Sequence, residues 1–417
     1  MKSVLMAGVG LAVGVTILGA GAQAAPQRDE KIFAAVQANK AGAIDLLKQI
    51  VNIDSGTGDV AGGTKVAAVL GARLKALGAA VRKEKSEAPD LPDNVVGVFK
   101  GTGKGKILVI AHFDTVFGPG TVKGRPFSID AGNRAHGPGV GDEKAGDVVA
   151  LTALKILRDL KFKDYASITV LLDASEERGS PSCANLIKKL SAESDVEFNM
   201  EPGDAPDVLT VWRKGAGDIV IHVEGRAAHA GMVPQNGRNA AMELMHQINA
   251  LGNAFPTSGD GITANLTLIK AGSRSNIIPD SAEATLDVRF RRPEQLEQVV
   301  ARVKANAVKT LVPDTKVTVT ASGSFPPLVE NAQTHALALR ADAIYAELGK
   351  TIGHGGNGGA SESAVAQSVG TPALDGLGAV GGDFHTDHEW IDLNTLEPRL
   401  YLFTRLLMET GAKPPTK

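Results

Sequence analysis

The run Ile107-Leu108-Val109-Ile110-Ala111 is apolar without a break, and it stops on His112-Phe113-Asp114. A strand with no polar face has to be covered on both sides, so this segment belongs inside a sheet flanked by helices. Residues 167–173 repeat the pattern and stop on Asp173-Ala174-Ser175-Glu176-Glu177. Another strand spans 94–100, and a short one spans 196–200 before Glu201. Stretches 32–51, 63–77, 146–159 and 182–190 carry apolar residues at threes and fours, as amphipathic helices do. Helices alternating with buried strands predict an α/β sheet with helices on both faces.

Near Gly215 the pattern changes. Residues 218–224 alternate apolar and polar like a half-exposed strand, and 262–271, 282–290 and 316–321 read as further strands. Helices are expected over 239–252 and 294–311. From about Pro327 the α/β character returns, with helices over 334–348, 361–368 and 395–411 and a tight glycine-rich loop over 353–359. A chain of 417 residues exceeds what one core usually serves. The reading is a catalytic domain in two parts, 25–214 and 326–417, interrupted by a smaller α+β domain over 215–325.

The first residues differ in kind. Lys2, the apolar stretch 4–21 and Ala22-Gln23-Ala24 have the make-up of a secretory signal peptide over 1–24, cleaved after Ala24, with an uncleaved anchor helix as the alternative. A periplasmic or secreted destination follows, with no other long apolar run to hold the mature chain in a membrane. Lys and Arg total 44 against 46 Asp and Glu, a net charge of −2 without a basic run, so nucleic acid is not an expected partner. Cys183 is the only cysteine, which excludes an intramolecular disulfide and fits a packed thiol.

The chemistry-bearing residues gather at strand ends. His112 and Asp114 are two apart and share a face, so Asp114 can hold the His112 ring nitrogen that a metal does not use. Asp142 lies in Gly137-Pro138-Gly139-Val140-Gly141-Asp142-Glu143-Lys144-Ala145-Gly146, whose small residues predict close backbone packing at a helix start. Glu176, Glu177 and Glu201 follow strands, and His385 lies in Asp383-Phe384-His385-Thr386-Asp387 after a glycine-rich stretch. Ligands in open α/β sheets bind outside the carboxyl ends of the strands. Two histidines and several carboxylates meeting there suit Zn²⁺, and a shared carboxylate would allow a two-metal clamp.

In that order, His112-x-Asp114, Asp142, Glu176-Glu177, Glu201 and His385 resemble the M20 metallopeptidase family. The likeness is nearest to its secreted bacterial glutamate carboxypeptidase branch, the carboxypeptidase G type. It extends to Ser275-Asn276-Ile277-Ile278-Pro279 and spans nearly the whole chain after the leader. The resemblance implies a zinc-peptidase-like mixed sheet with an inserted dimerisation and lid domain, and two Zn²⁺ per subunit. It places His112 and Glu201 on one zinc, Glu177 and His385 on the other, and Asp142 across both. Glu176 becomes the general base, and the peptide bond after Asp142 becomes cis. His229, in Gly225-Arg226-Ala227-Ala228-His229-Ala230-Gly231, would reach the partner's site in a homodimer. Its dimer edge is expected within 218–224 or 316–321. Asn276 and Arg289 would bind the substrate carboxylate.

The implied reaction is hydrolysis of a small peptide or N-acyl amino acid that releases a C-terminal amino acid. A deacylase or dipeptidase of the same family is the alternative, and a metal-free binding protein on the same fold is the reading from another class. Residues 324–326 (Ser-Phe-Pro) lack the arginine that holds a glutamate side chain in that branch, and Val208 stands in place of a basic residue, although Thr210 keeps a hydroxyl. Arg213 and Lys214 are the candidates to substitute, unless the side-chain pocket does not take an acid. Gly358-Gly359-Ala360-Ser361-Glu362 also departs from the family's usual Gly-Gly-Thr-Asp-Ala. His136, His222, His246, His335, His354 and His388 read as ordinary polar residues.

Overall fold

The computed structural model describes residues 27–252 and 261–415. The expected leader over 1–24 lies outside them. Among the described residues, no helix is long and apolar enough to cross a membrane.

The central sheet has six strands in the order Ala80–Glu84, Asn94–Lys100, Ser167–Asp173, Lys106–His112, Val196–Asn199, Ala373–Leu374. The first two junctions are antiparallel and the other three parallel, so the sheet is mixed. The unbroken apolar run does what its composition demands. Ile107, Val109 and Ala111 join the large core beneath helices Glu30–Val51, Lys144–Asp159 and Leu396–Ala412. Leu108 and Ile110 face the other way and pack with Cys183, Ile187 and Val365 from helices Ala184–Ala192 and Glu362–Ser368 or their caps. Helix starts follow side-chain chemistry: Asp29 accepts from the Lys31 and Ile32 amides, satisfying donors that the first turn leaves open.

A second sheet of seven short strands was not legible in the sequence. Its order is Gly353–Asn357, Val208–Arg213, Gly203–Asp204, Val380–Gly382, Trp390–Asp392, Arg134–His136, Ser128–Ile129. The glycine-rich stretch read as a loop is thus largely an edge strand, parallel to Val208–Arg213. Glycine is needed there because a Cβ on Gly356 would lie 2.1 Å from the Trp212 carbonyl oxygen.

Gly215 opens a third sheet, ordered Thr263–Ala271, Ser281–Phe290, Gly215–Glu224, Lys316–Phe325, and every junction is antiparallel. Its alternate residues, Ile219, Ile221 and Val223 with Ala284, Leu286 and Val288, form a separate core with helices Ala240–Leu251 and Pro293–Ala307. Strand Gly215–Glu224 has a partner on each side, so it cannot be the open edge expected within 218–224. The edges are Lys316–Phe325 and Thr263–Ala271, and the second exposes Leu266, Leu268 and Ile269.

Arg399 ties the last helix to the second sheet. It is fully buried, donates Nε to Asp207 Oδ1 at 2.9 Å and Nη2 to the Val208 carbonyl at 3.0 Å, and also reaches the Gly376 carbonyl. Its removal takes a donor from two carbonyls and the charged partner from the Asp207 carboxylate, which keeps the Tyr345 hydroxyl at 3.2 Å. Arg399→Met should therefore cost about 3–5 kcal/mol of stability, read as a lowered midpoint in urea unfolding.

Candidate metal centre

Every metal-ligand candidate from the sequence arrives at one place, each from a strand end or a turn. His112 closes its strand, and Glu201 follows the neighbouring strand Val196–Asn199. Glu176 and Glu177 form a single 3-10 turn after Ser167–Asp173. His385 sits in the hairpin between Val380–Gly382 and Trp390–Asp392, at φ 64°. That left-handed backbone is uncommon for a residue with a Cβ, though histidine is among the types that adopt it most.

Asp142 lies at the middle. Its Oδ1 is 3.1 Å from His112 Nε2, and its Oδ2 is 3.1 Å from His385 Nε2. Each histidine has a second carboxylate: Glu201 Oε1 is 3.5 Å from His112 Nε2, and Glu177 Oε2 is 3.2 Å from His385 Nε2. Glu176 Oε2 is further away, 4.0 Å from His112 Nε2. The peptide bond between Asp142 and Glu143 is cis.

Asp114 organises this arrangement from behind. Its Oδ1 and its carbonyl oxygen both lie near His112 Nδ1, at 3.3 and 3.2 Å. The same carboxylate accepts from the Glu176 amide at 3.0 Å, the Glu177 amide at 3.3 Å and the Thr57 hydroxyl at 2.6 Å. One side chain therefore orients a histidine and fixes the turn that presents two glutamates.

The loop carrying Asp142 is held by Glu389, a role that has no signal in the sequence. Glu389 accepts from the amides of Gly139 at 3.0 Å, Gly141 at 2.8 Å and Asp142 at 2.9 Å. Gly139 has φ 70°, and a Cβ there would meet Thr115 Cγ2 at 2.3 Å, which accounts for the small residues of this motif. Two other carboxyls escaped the sequence reading. Glu143 is buried beside His112, with Oε2 3.6 Å from Nε2, and Glu362 is buried near Glu176 and Glu201.

So many buried carboxylates perturb one another. Burial pushes Glu176 well above the usual carboxylate range, reinforced by Glu201 and Glu362 although His112 opposes it. Burial and Asp142 push Glu177 up to about 7. Hydrogen bonds to Asp142 and Glu177 carry His385 up to about 11. For Asp142 burial acts upward, but hydrogen bonds from both histidines outweigh it and hold the group below its ordinary range.

This donor set fits divalent cations. His112, Glu143 and Glu201 form one group of mutually close ligand atoms, and Asp142, Glu177 and His385 form another. Within the second group Glu177 Oε1 is buried without a hydrogen-bond partner, which is costly for a carboxylate unless a cation takes that place. Mixed histidine and carboxylate ligands suit zinc.

A cavity of about 700 Å³ opens onto the centre, lined by Asp142, Glu176, Glu177, Glu201 and His385, with Arg289 from the third sheet. Arg289 is clamped by Asp287 through Nε at 3.0 Å and Nη2 at 2.9 Å. Asn276 and His229 do not line this cavity. They lie together, where Ala228–His229 pairs with Ile277–Ile278 and the Asn276 carbonyl accepts from the Ala230 amide. His229 Nδ1 accepts from the Gly231 and Met232 amides at 3.2 and 3.1 Å, which leaves Nε2 as its outward nitrogen.

Residues 108–409 match the family described as peptidase family M20/M25/M40. The chain belongs to the M20 peptidase family. It is 34% identical over 404 residues to carboxypeptidase G2 of Pseudomonas sp. (strain RS-16), covering 96% of this chain and 97% of that one. It is 24% identical over 351 residues to a succinyl-diaminopimelate desuccinylase of Methylobacterium radiotolerans, covering 80% and 88%. A crystal structure of a Staphylococcus aureus tripeptidase superposes with a TM-score of 0.73 at 21% identity, over 90% of this chain and 99% of that one. This M20 enzyme is a metallopeptidase or amidohydrolase, and its fold is that of its family.

Glu389→Gln keeps the shape but offers one acceptor oxygen where three amides need both. An unsatisfied buried amide costs about 1–3 kcal/mol, so calorimetry should show a lower melting temperature, and dialysed protein should retain less metal. A variant matching the parent in both would exclude Glu389 as the anchor of the Asp142 loop.

Proposed function

We propose that the protein is a di-zinc hydrolase that cleaves the amide bond preceding a C-terminal amino acid, with a small peptide or N-acyl amino acid as substrate. The observation that carries this reading is the division of Asp142 between His112 and His385, each at 3.1 Å and each with a further carboxylate of its own. His112 and Glu201 would hold one cation, Glu177 and His385 the other, with Asp142 shared. Bound there, zinc supplies Lewis acidity toward the scissile carbonyl and makes water a proton donor near neutral pH.

The chain's own groups do the rest. Glu176 lines the cavity and is fixed through its backbone amide by Asp114, yet it stands back from the two-histidine bridge. It takes the proton of the attacking water at its carboxylate and returns it to the leaving nitrogen, as a general base and then a general acid. The forked guanidinium of Arg289 is suited to the substrate carboxylate. The similarity to carboxypeptidase G2 supports release of a C-terminal residue, while the desuccinylase relative keeps N-acyl amino acids in the substrate class. The composition of residues 1–24 supports export to the periplasm or beyond.

The experiment is a metal determination joined to a panel of dipeptides and N-acyl amino acids. Two zinc ions per subunit, and hydrolysis that a chelator abolishes and added zinc restores, are the expected result. Glu176→Gln should keep both metals while turnover falls by about 10²–10⁴-fold. Near-parental turnover in that variant would remove Glu176 from the role.

The dimer belongs to the same proposal. The open edge Thr263–Ala271 exposes Leu266, Leu268 and Ile269, and pairing with its twin would close the edge and cover them. A two-fold arrangement through this sheet would send His229 and Asn276, which stand outside their own subunit's cavity, toward the partner's centre. Mixing inactive His229→Ala and Glu176→Gln subunits should then restore part of the activity, because one site of each mixed dimer is intact. Proven subunit exchange without recovery would refute the action in trans.

A further inference from the structure

Arg213 ends the strand Val208–Arg213, where the chain crosses into the third sheet. Its guanidinium is 5% exposed, in the wall of the catalytic cavity. A permanently charged group in that position needs anionic partners, and it has two. Nε and Nη2 fork onto Asp375, at 2.7 Å to Oδ2 and 3.2 Å to Oδ1. Nη2 also donates to Glu201 Oε2 at 3.3 Å. The other oxygen of that glutamate, Oε1, is the one beside His112 Nε2.

Asp375 is itself immobilised. Its Oδ2 accepts from Ser361 Oγ and Ser363 Oγ, each at 2.6 Å, and its Oδ1 accepts from the Gly376 amide. The arginine backbone is tied as well, its amide donating to the Leu328 carbonyl at 3.0 Å on the chain's return path. The guanidinium therefore cannot swing into the cavity without breaking a buried fork.

From this geometry we infer that Arg213, braced by Asp375, is the positioning residue for Glu201 and governs metal binding on the His112 side, and that it is not a substrate anchor. The inference rests on the di-zinc reading above. With Oε2 pinned, Glu201 has one oxygen left to present beside His112, so its rotamer is settled before a cation arrives. Asp375 also cancels the charge of the guanidinium, which would otherwise repel a cation at the adjacent position. Asp142, Glu177 and His385 are not among the Arg213 hydrogen-bond partners, so the effect is confined to one of the two positions. Lysine keeps the charge but cannot fork onto Asp375 and reach Glu201 together.

The test is zinc affinity. Parent, Arg213→Lys and Arg213→Met are titrated against a chromophoric chelator, and bound metal is counted after dialysis. The same titration on a His385→Ala background isolates the His112 side. Loss of an outer hydrogen bond to a metal ligand typically weakens binding about 10–100-fold. That loss is expected on the His112 side alone, with the other position unchanged. Turnover should fall at limiting zinc and recover with excess zinc, while KM stays near the parental value. Full affinity at both positions with a raised KM would make Arg213 a substrate anchor and overturn the inference. Parallel weakening of both positions together with a lowered melting temperature would reduce it to general scaffolding and also overturn it. If Arg213→Met does not fold, Arg213→Lys carries the test alone. A parent protein that never holds two metals would instead overturn the di-zinc reading, and this inference with it.

Discussion

One carboxylate shared between two histidines sets the terms for the rest of the molecule. Asp142 faces His112 with one oxygen and His385 with the other. The two histidines come from different sheets, one from the end of a central strand and one from a hairpin of the second sheet. The Asp142 loop therefore has to be placed accurately against both. Glu389, next to the second strand of the His385 hairpin, does this by taking three amides of that loop. Asp114 does the matching task on the other side, joining His112 to the turn that bears Glu176 and Glu177. Both anchors are carboxylates accepting from backbone amides, bonds stronger than those between neutral groups.

The larger fold explains why this arrangement can persist. Asp142, Glu143, Glu176, Glu177 and Glu201 are all largely removed from water, and burying unpaired charge is expensive. The central sheet is covered on both faces by aliphatic cores that include Ile107, Val109, Leu108 and Ile110. That burial supplies the stability against which the polar edge is built. The third sheet has its own core and contributes Arg289 to the wall of the cavity, so the cavity is lined by two separately packed bodies of side chains.

How much of this was legible depended on the length of each signal. Runs such as 107–111, which is unbroken, and 168–172, which only Thr169 interrupts, carry enough apolar residues to identify a buried strand, and the residues that end them are the candidates for the centre. Val380–Gly382, Trp390–Asp392 and Arg134–His136 are three residues each, too short for any periodicity, so the second sheet stayed hidden. Gly353–Asn357 read as a loop because glycine composition signals a turn, whereas here it permits close approach to Trp212. Glu389 carries no signal in sequence and Arg213 reads there only as a candidate substrate cation, because only long-range packing gives each its buried partners. Strand 218–224 was correctly a strand but wrongly an edge, since alternation reports a half-covered face and says nothing about neighbours in the sheet.

The position of Arg213 illustrates a general difficulty in reading specificity from such chains. A cation beside a hydrolase cavity invites assignment to an acidic substrate group, and Arg213 stands where a substitute for the absent basic residue at Val208 was sought. Its fork onto Asp375 and its bond to Glu201 commit the guanidinium to the protein. Arg289 is also engaged, but with Asp287 at the cavity wall, where a substrate carboxylate can displace or share that partner. Buried charge held by a fully bonded acid serves placement, and charge held by a partly exposed acid stays open to exchange. On that distinction the proposed recognition of a substrate carboxylate falls to Arg289 of the third sheet, and the role inferred for Arg213 falls to the architecture of the centre.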